Sequence, residues 1–324
     1  MRRVVPAIAV LILISLTLVP RTFALRVVTT IPISPGVNAI AVNGKTNRIY
    51  VANSTDDSLS VIDGVTNSVI ATIPVGEQPW AVGINTVTNR IYVVNIGDDT
   101  VSVIDGSRNT TMTTLRGLPG VAIAVNSPTN LIYLADFGSG QIHVLNGHSN
   151  TVIANVDIPQ PSAVTVNTIT NKIYALGLCS CGVFVIDGST NQLVDPILVP
   201  GNPTLFGSIA VDMGTNQLYI PSIVTGGEPE VSVLDAGAGT LLGTISGVGI
   251  INGLAALPGI HQVITTGGFD LQHRTVVVSD TSSFLVWRSL RVGLGPTGIA
   301  TNSANRLIYV SNTVDGTVSV ISRN

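Results

Sequence analysis

A tyrosine phrase that returns every forty-odd residues limits what this chain can fold into more than any other feature. It reads Arg-Ile-Tyr-Val-Ala-Asn at 48–53, Arg-Ile-Tyr-Val-Val-Asn at 90–95 and Leu-Ile-Tyr-Leu-Ala-Asp at 131–136. It continues as Lys-Ile-Tyr-Ala-Leu-Gly at 172–177, Gln-Leu-Tyr-Ile-Pro-Ser at 217–222 and Leu-Ile-Tyr-Val-Ser-Asn at 307–312. The tyrosines lie 42, 41, 41, 45 and 90 residues apart, and the last interval holds a degenerate copy at 261–267. A second marker is independent of the first: short apolar runs end at Asp63, Asp105, Asn146, Asp187, Asp235, Asp280 and Ser322. Both markers count seven units of about 43 residues, the period of a propeller blade.

Within a unit, a strand of small apolar residues ends in Asn, and a Thr-Asn turn leads to the tyrosine strand. A polar loop, a Val-x-Val-Ile-Asp strand, another Asn-bearing turn and a last strand such as 69–75 complete it. Runs of four to seven β-branched residues bounded by Gly, Asn, Asp and Pro read as strands. The middle strands are apolar at consecutive positions, as expected when neighbouring blades cover both faces. The turn asparagines tolerate left-handed backbone and cap it. Residues 26–33 resemble a fourth strand, and the last unit stops after its third. The expectation is therefore an all-β, seven-bladed propeller of four-stranded antiparallel blades, with the N-terminal strand closing the last blade and removing the open edge. With 45% apolar residues the chain has ample material for such a core.

Residues 1–24 stand apart. Arg2 and Arg3 precede an apolar run from Val4 to Val19, and Thr22-Phe23-Ala24 places small residues as a signal peptidase requires. The run is short for a membrane span. The expectation is a signal peptide over 1–24 and a propeller over 25–324, hence a secreted, periplasmic or cell-surface protein. An uncleaved N-terminal anchor is the alternative. The remaining chain has 12 basic and 18 acidic residues. That balance disfavours nucleic acid and anionic lipid, which need a positive surface.

The Tyr-Val-x-Asn phrase, with Val-Ser-Val-Ile-Asp and Thr-Ile-Pro-Val-Gly, resembles the YVTN-repeat β-propeller family over nearly all of 25–324. The resemblance is weakest over 249–294, where the sixth unit lacks both the tyrosine and the Thr-Asn turn. It implies an exported or surface-layer-type propeller, a location and a scaffold more than a reaction.

One face of such a propeller carries the turns between second and third strands and the links between blades. Asp56, Asp57, Glu77, Asp98, Asp99, Asp136, Glu228, Glu230, Asp270 and Asp315 fall there, against Arg116, Arg274 and Arg291. An acidic rim around an axial mouth focuses a field on a cation or a cationic partner. Charged loops also keep an apolar protein soluble. Trp80 lies in one of these loops, placed either to stack on a ligand or to cover an inner strand. The Asp56-Asp57 and Asp98-Asp99 pairs lack the alternating ligand pattern of a calcium loop.

Cys179 and Cys181 fall in a hairpin of the fourth unit, and two cysteines in an exported chain favour a disulfide. So short a ring contributes only about 1.6 kcal/mol, which makes a labile bridge or free thiols the options. His261 and His273 sit at opposite ends of a hairpin, too far apart for one metal, and His143 and His148 lie elsewhere. Gly293-Leu-Gly295-Pro-Thr-Gly298 matches a dinucleotide fingerprint, but a strand follows it where a helix is required.

The reading is an exported, non-catalytic binding or scaffold protein, monomeric, whose partner is an unknown protein, a cell-surface partner or a small cationic ligand. No residue set calls for a cofactor. The alternative is a metal-dependent propeller enzyme, resembling lactonases or streptogramin lyases, with a divalent cation at the mouth. Its inner strands should then carry acids, yet they are Ala, Val, Ile, Gly and Asn, with Asp212 the one carboxylate, at the end away from the mouth.

Overall fold

The computed structural model describes residues 25–177, 182–199, 202–203, 208–223, 227–267 and 274–323. Seven antiparallel sheets stand around one axis. Blade one runs from the axis outward as Val37–Asn43, Arg48–Asn53, Ser58–Asp63 and Ser68–Pro74. Blades two, three and four repeat this order from Pro79–Asn85, Ala122–Asn126 and Pro161–Asn167. In blade five the inner strand is split into Asn202–Pro203 and Ala210–Asp212, both paired to Gln217–Ile223. Blade six is Gly253–Leu257, Gln262–Thr266, Thr275–Asp280 and Leu285–Arg291.

Blade seven supplies only Pro296–Asn302, Leu307–Asn312 and Thr317–Arg323, and its outer strand is Leu25–Pro32 from the other end of the chain. The pairing runs from Leu25 opposite Arg323 to Pro32 opposite Thr317. The N-terminal strand closes the ring, as the truncated last repeat predicts.

Residue size decides the radial order. The inner strands converge on one another around the axis, so Ala, Gly, Val and Ile predominate in them. A Cβ at Gly298 would come within 2.5 Å of the Asn38 carbonyl in the next blade. Second and third strands are buried on both faces, and outer strands are mostly exposed. Described outer strands share a bulge against the third strand, for example between Val61 and Ile62, which adds twist.

The core is a set of separate seams, each filled from two adjacent blades. Tyr50 of blade one packs against Ile91, Val93 and Ile104 of blade two. Tyr92, Tyr133, Tyr174, Tyr219 and Tyr309 make the corresponding contacts with blades three, four, five, six and one. The repeat thus places one large ring in six of the seven seams, and the seam between blades six and seven has Ile264 at that position.

Asparagines lock the seams at one end. Asn47, Asn89, Asn130, Asn171 and Asn216 hold φ between 52° and 56°, a left-handed conformation that Asn accepts. Each receives a side-chain hydrogen bond from the Asn ending the previous blade's inner strand: Asn43 to Asn89 at 2.8 Å, Asn85 to Asn130 at 2.7 Å and Asn126 to Asn171 at 2.6 Å. Asn167 to Asn216 and Asn302 to Asn47 continue the series. Between blades five and six Asp212 takes this role by accepting from the Gly259 N–H.

Replacing Asn126 by Ala leaves the half-buried Asn171 amide oxygen without this donor. The expected loss is about 1–3 kcal/mol, read as a lower urea midpoint with an unchanged slope. An unchanged midpoint would show that the lock does not contribute.

Candidate functional site

The turns between second and third strands and the links between blades meet on one face, here called the upper face. The Val75 N–H donates to the Asp57 carbonyl, and the Leu118 N–H to that of Asp99. On this face the inner strands leave an axial cavity of about 290 Å³. Its walls mix apolar Ile40, Val82 and Leu254 with Asn38, Ser162 and Thr297. None of the described residues lining it is charged.

Trp80, 43% exposed, lines both this cavity and a second groove of about 450 Å³ between blades one and two. Ser54, Thr55, Asp57, Glu77, Gln78 and Ile96 form the rest of that groove. Two carboxylates and an indole therefore face one space beside the axial opening. Carboxylates attract a cation, and an indole face adds cation–π attraction.

Several of the sequence-expected acids, Asp57 among them, also hold turns. Asp57 and Asp99 adopt left-handed backbone at φ 47° and 52°, and the Asp57 carboxylate accepts from the Gln78 N–H at 2.8 Å. Asp98 accepts from the Thr100 hydroxyl at 2.7 Å. Asp315 accepts from the Leu294 N–H at 2.6 Å and lies 3.8 Å from Arg274. Asp56, Asp98 and Asp99 are exposed. These residues shape turns as well as charging the surface.

Asp136 and Glu230 point inward. At the end of the second strand, Asn53 donates to Ser58 at 2.9 Å and Ser60 at 3.0 Å, and Asn95 donates likewise to Thr100 and Ser102. In blade three these positions hold Asp136, 3% exposed, and His143, whose Nε2 lies 3.2 Å from the carboxylate. Burial pushes the Asp136 carboxyl up, but bonds from Ser139 and His143 outweigh it, and its pKa lies below the ordinary value. In blade five, Glu230 is buried and Ser222 donates to it at 3.4 Å. Both acids replace the Asn–Ser cluster of other blades, a substitution visible only once the repeats are aligned by strand pairing.

Asp157, at the upper end of an outer strand and exposed, also belongs to this face, although sequence reading left it out. Cys179, Cys181, Asp270 and His273 lie outside the described residues. His261 occupies a left-handed turn position at φ 53°. Among the described residues no three His, Cys, Asp or Glu side chains gather as metal ligands do. No described helix is long and apolar enough to cross a membrane.

No family model matches the sequence, and no curated protein matches it. The fold has counterparts among solved structures. Hydrazine synthase of Kuenenia stuttgartiensis superposes with a TM-score of 0.73 at 17% identity, over 90% of this chain and 96% of that one. The structure of U3-55K superposes with a TM-score of 0.75 at 12% identity, over 92% and 98%. At these identities the likeness is one of architecture, and this chain is a seven-bladed β-propeller.

Proposed function

We propose that this chain is an exported, non-catalytic binding scaffold of the YVTN-repeat type, whose upper face takes a cationic partner, either a basic protein segment or a small cation. The observation that carries the reading is the groove where Trp80 stands with Asp57 and Glu77 beside the axial opening. The surrounding field supports it. Asp56, Asp57, Glu77, Asp98, Asp99, Asp157, Glu228 and Asp315 are exposed on this face, against Arg116, Arg274 and Arg291. Export is supported by the N-terminal pattern, and the repeat phrase supports the family type.

A hexa-arginine peptide titrated into the protein at low salt tests this. Binding is expected, with Trp80 fluorescence quenched. Trp80→Ala and Glu77→Gln should each weaken it by about threefold to thirtyfold, the range of a cation–π or partly screened ion-pair contribution. Added salt should weaken it further. Equal affinity in both variants, or no binding at low salt, would overturn the reading.

A further inference from the structure

The seam between blades six and seven differs from the other six in both of its conserved contacts. Where the other seams hold a buried tyrosine, blade six presents Ile264 against Ile308 and Val310. Where an inner-strand Asn or Asp bonds the next blade elsewhere, this seam sets Leu257 beside Arg306. The two changes fall at the same end of the same seam. A groove of about 380 Å³ lies there, within the size range of small-molecule sites.

Its walls are mostly apolar, with Leu25, Leu257, Ile260 and Trp287, and Arg306 and Arg323 stand at the same groove. Trp287 is 41% exposed. In blades one and four the basic residue beside the turn pairs with its own blade's aspartate, Arg48 with Asp63 and Lys172 with Asp187. Blade seven has Ser322 at that aspartate position. Neither Arg306 nor Arg323 has an acidic partner among the described residues. Arg323 is half-buried, and burial together with the Arg306 charge lowers its pKa. Arg306 also holds φ 60° where five other blades place Asn, a conformation unfavourable for a long side chain.

Two guanidinium groups without counter-ions among the described residues, beside a concave apolar wall, match a ligand with an anionic head and an apolar body. Guanidinium forks pair carboxylates through two parallel hydrogen bonds. We propose that this seam is a binding groove for a free amphipathic anion, an alkyl chain ending in a carboxylate, with the chain between the blades and the head on Arg306 and Arg323. A slot between two blades suits a single chain better than a bilayer surface.

Sodium decanoate below its micelle concentration is the probe, with 1-decanol as the uncharged control and phosphatidylglycerol vesicles as the membrane control. The expected result is saturable one-to-one binding of decanoate, a change in Trp287 fluorescence and a raised melting temperature. Decanol should bind at least tenfold more weakly, and vesicles should not sediment the protein. Ile264→Tyr, which restores the ring of the other seams, should remove decanoate binding. Arg306→Gln with Arg323→Gln should weaken it at least tenfold, and this pair decides the matter if the tyrosine variant does not fold. Decanoate binding that survives both changes, equal binding of decanol, or capture by vesicles would each overturn the proposal.

Discussion

Above pH 10 the protein is expected to unfold in one cooperative step, with no phenolate absorbance appearing before the fold is lost. All six tyrosines are buried in the seams. Burial is the leading influence on each. It pushes Tyr50, Tyr133 and Tyr219 up to about 12, and moves Tyr92, Tyr174 and Tyr309 in the same direction. At Tyr50 the Arg48 charge opposes this shift and Asp105 adds to it. An acid with a raised native pKa favours the fold while it is protonated. Its contribution is complete below the unfolded value near 10 and is lost as pH climbs toward 12. Two pH units correspond to about 2–3 kcal/mol per phenol. Three such groups then rival the whole stability of a typical domain, about 5–15 kcal/mol. Absorbance and circular dichroism followed together against pH check this. A phenol that ionises near pH 10 in the intact fold would show that its seam admits water.

The second large effect is expected on deleting residues 25–33. That segment forms the outer strand of blade seven, and it buries Leu25 and Ile31 in the two seams flanking that blade. Removing a buried Leu or Ile side chain costs about 2–5 kcal/mol. The deletion takes both, along with the ladder to Thr317–Arg323, and leaves that strand as a bare edge. The truncated protein should lose its sharp calorimetric transition and elute as aggregate. Relocating the same residues behind Asn324 through a flexible linker should restore the sharp transition, because the ring needs the strand and not its place in the chain. A truncated chain that stays free of aggregate with its melting point intact would show that closure is dispensable.

Much of this architecture is local. Asp63 accepts from the N–H groups of Val65 and Thr66, and Asp105, Asp187, Asp235 and Asp280 cap their turns in the same way. Those bonds span two or three residues, so the marker that counts the blades is also the group that makes their turns. Glu77 and Trp80 are close in sequence, and their approach to Asp57 follows from the same blade junction. Other features escaped the sequence for a spatial reason. Asp136 looks like any loop-end acid until strand pairing sets it opposite Gln141 and so brings His143, two residues further along that strand, within 3.2 Å of its carboxylate. Blade six is visibly irregular, yet Leu257 and Ile264 acquire meaning only beside Arg306 and Arg323, which belong to the next blade.

The sequence by itself determined the blade count, the strand order within a blade and the ring closure. Each of these follows from periodicity, side-chain size and short-range turn chemistry. Tertiary structure alone decided which side chains share a seam, which acids turn inward and where the grooves open. A repeat defines what one blade is, but every seam is built from two blades, and its contents depend on residues forty or more positions apart, about 255 at the closing seam, meeting between adjacent blades.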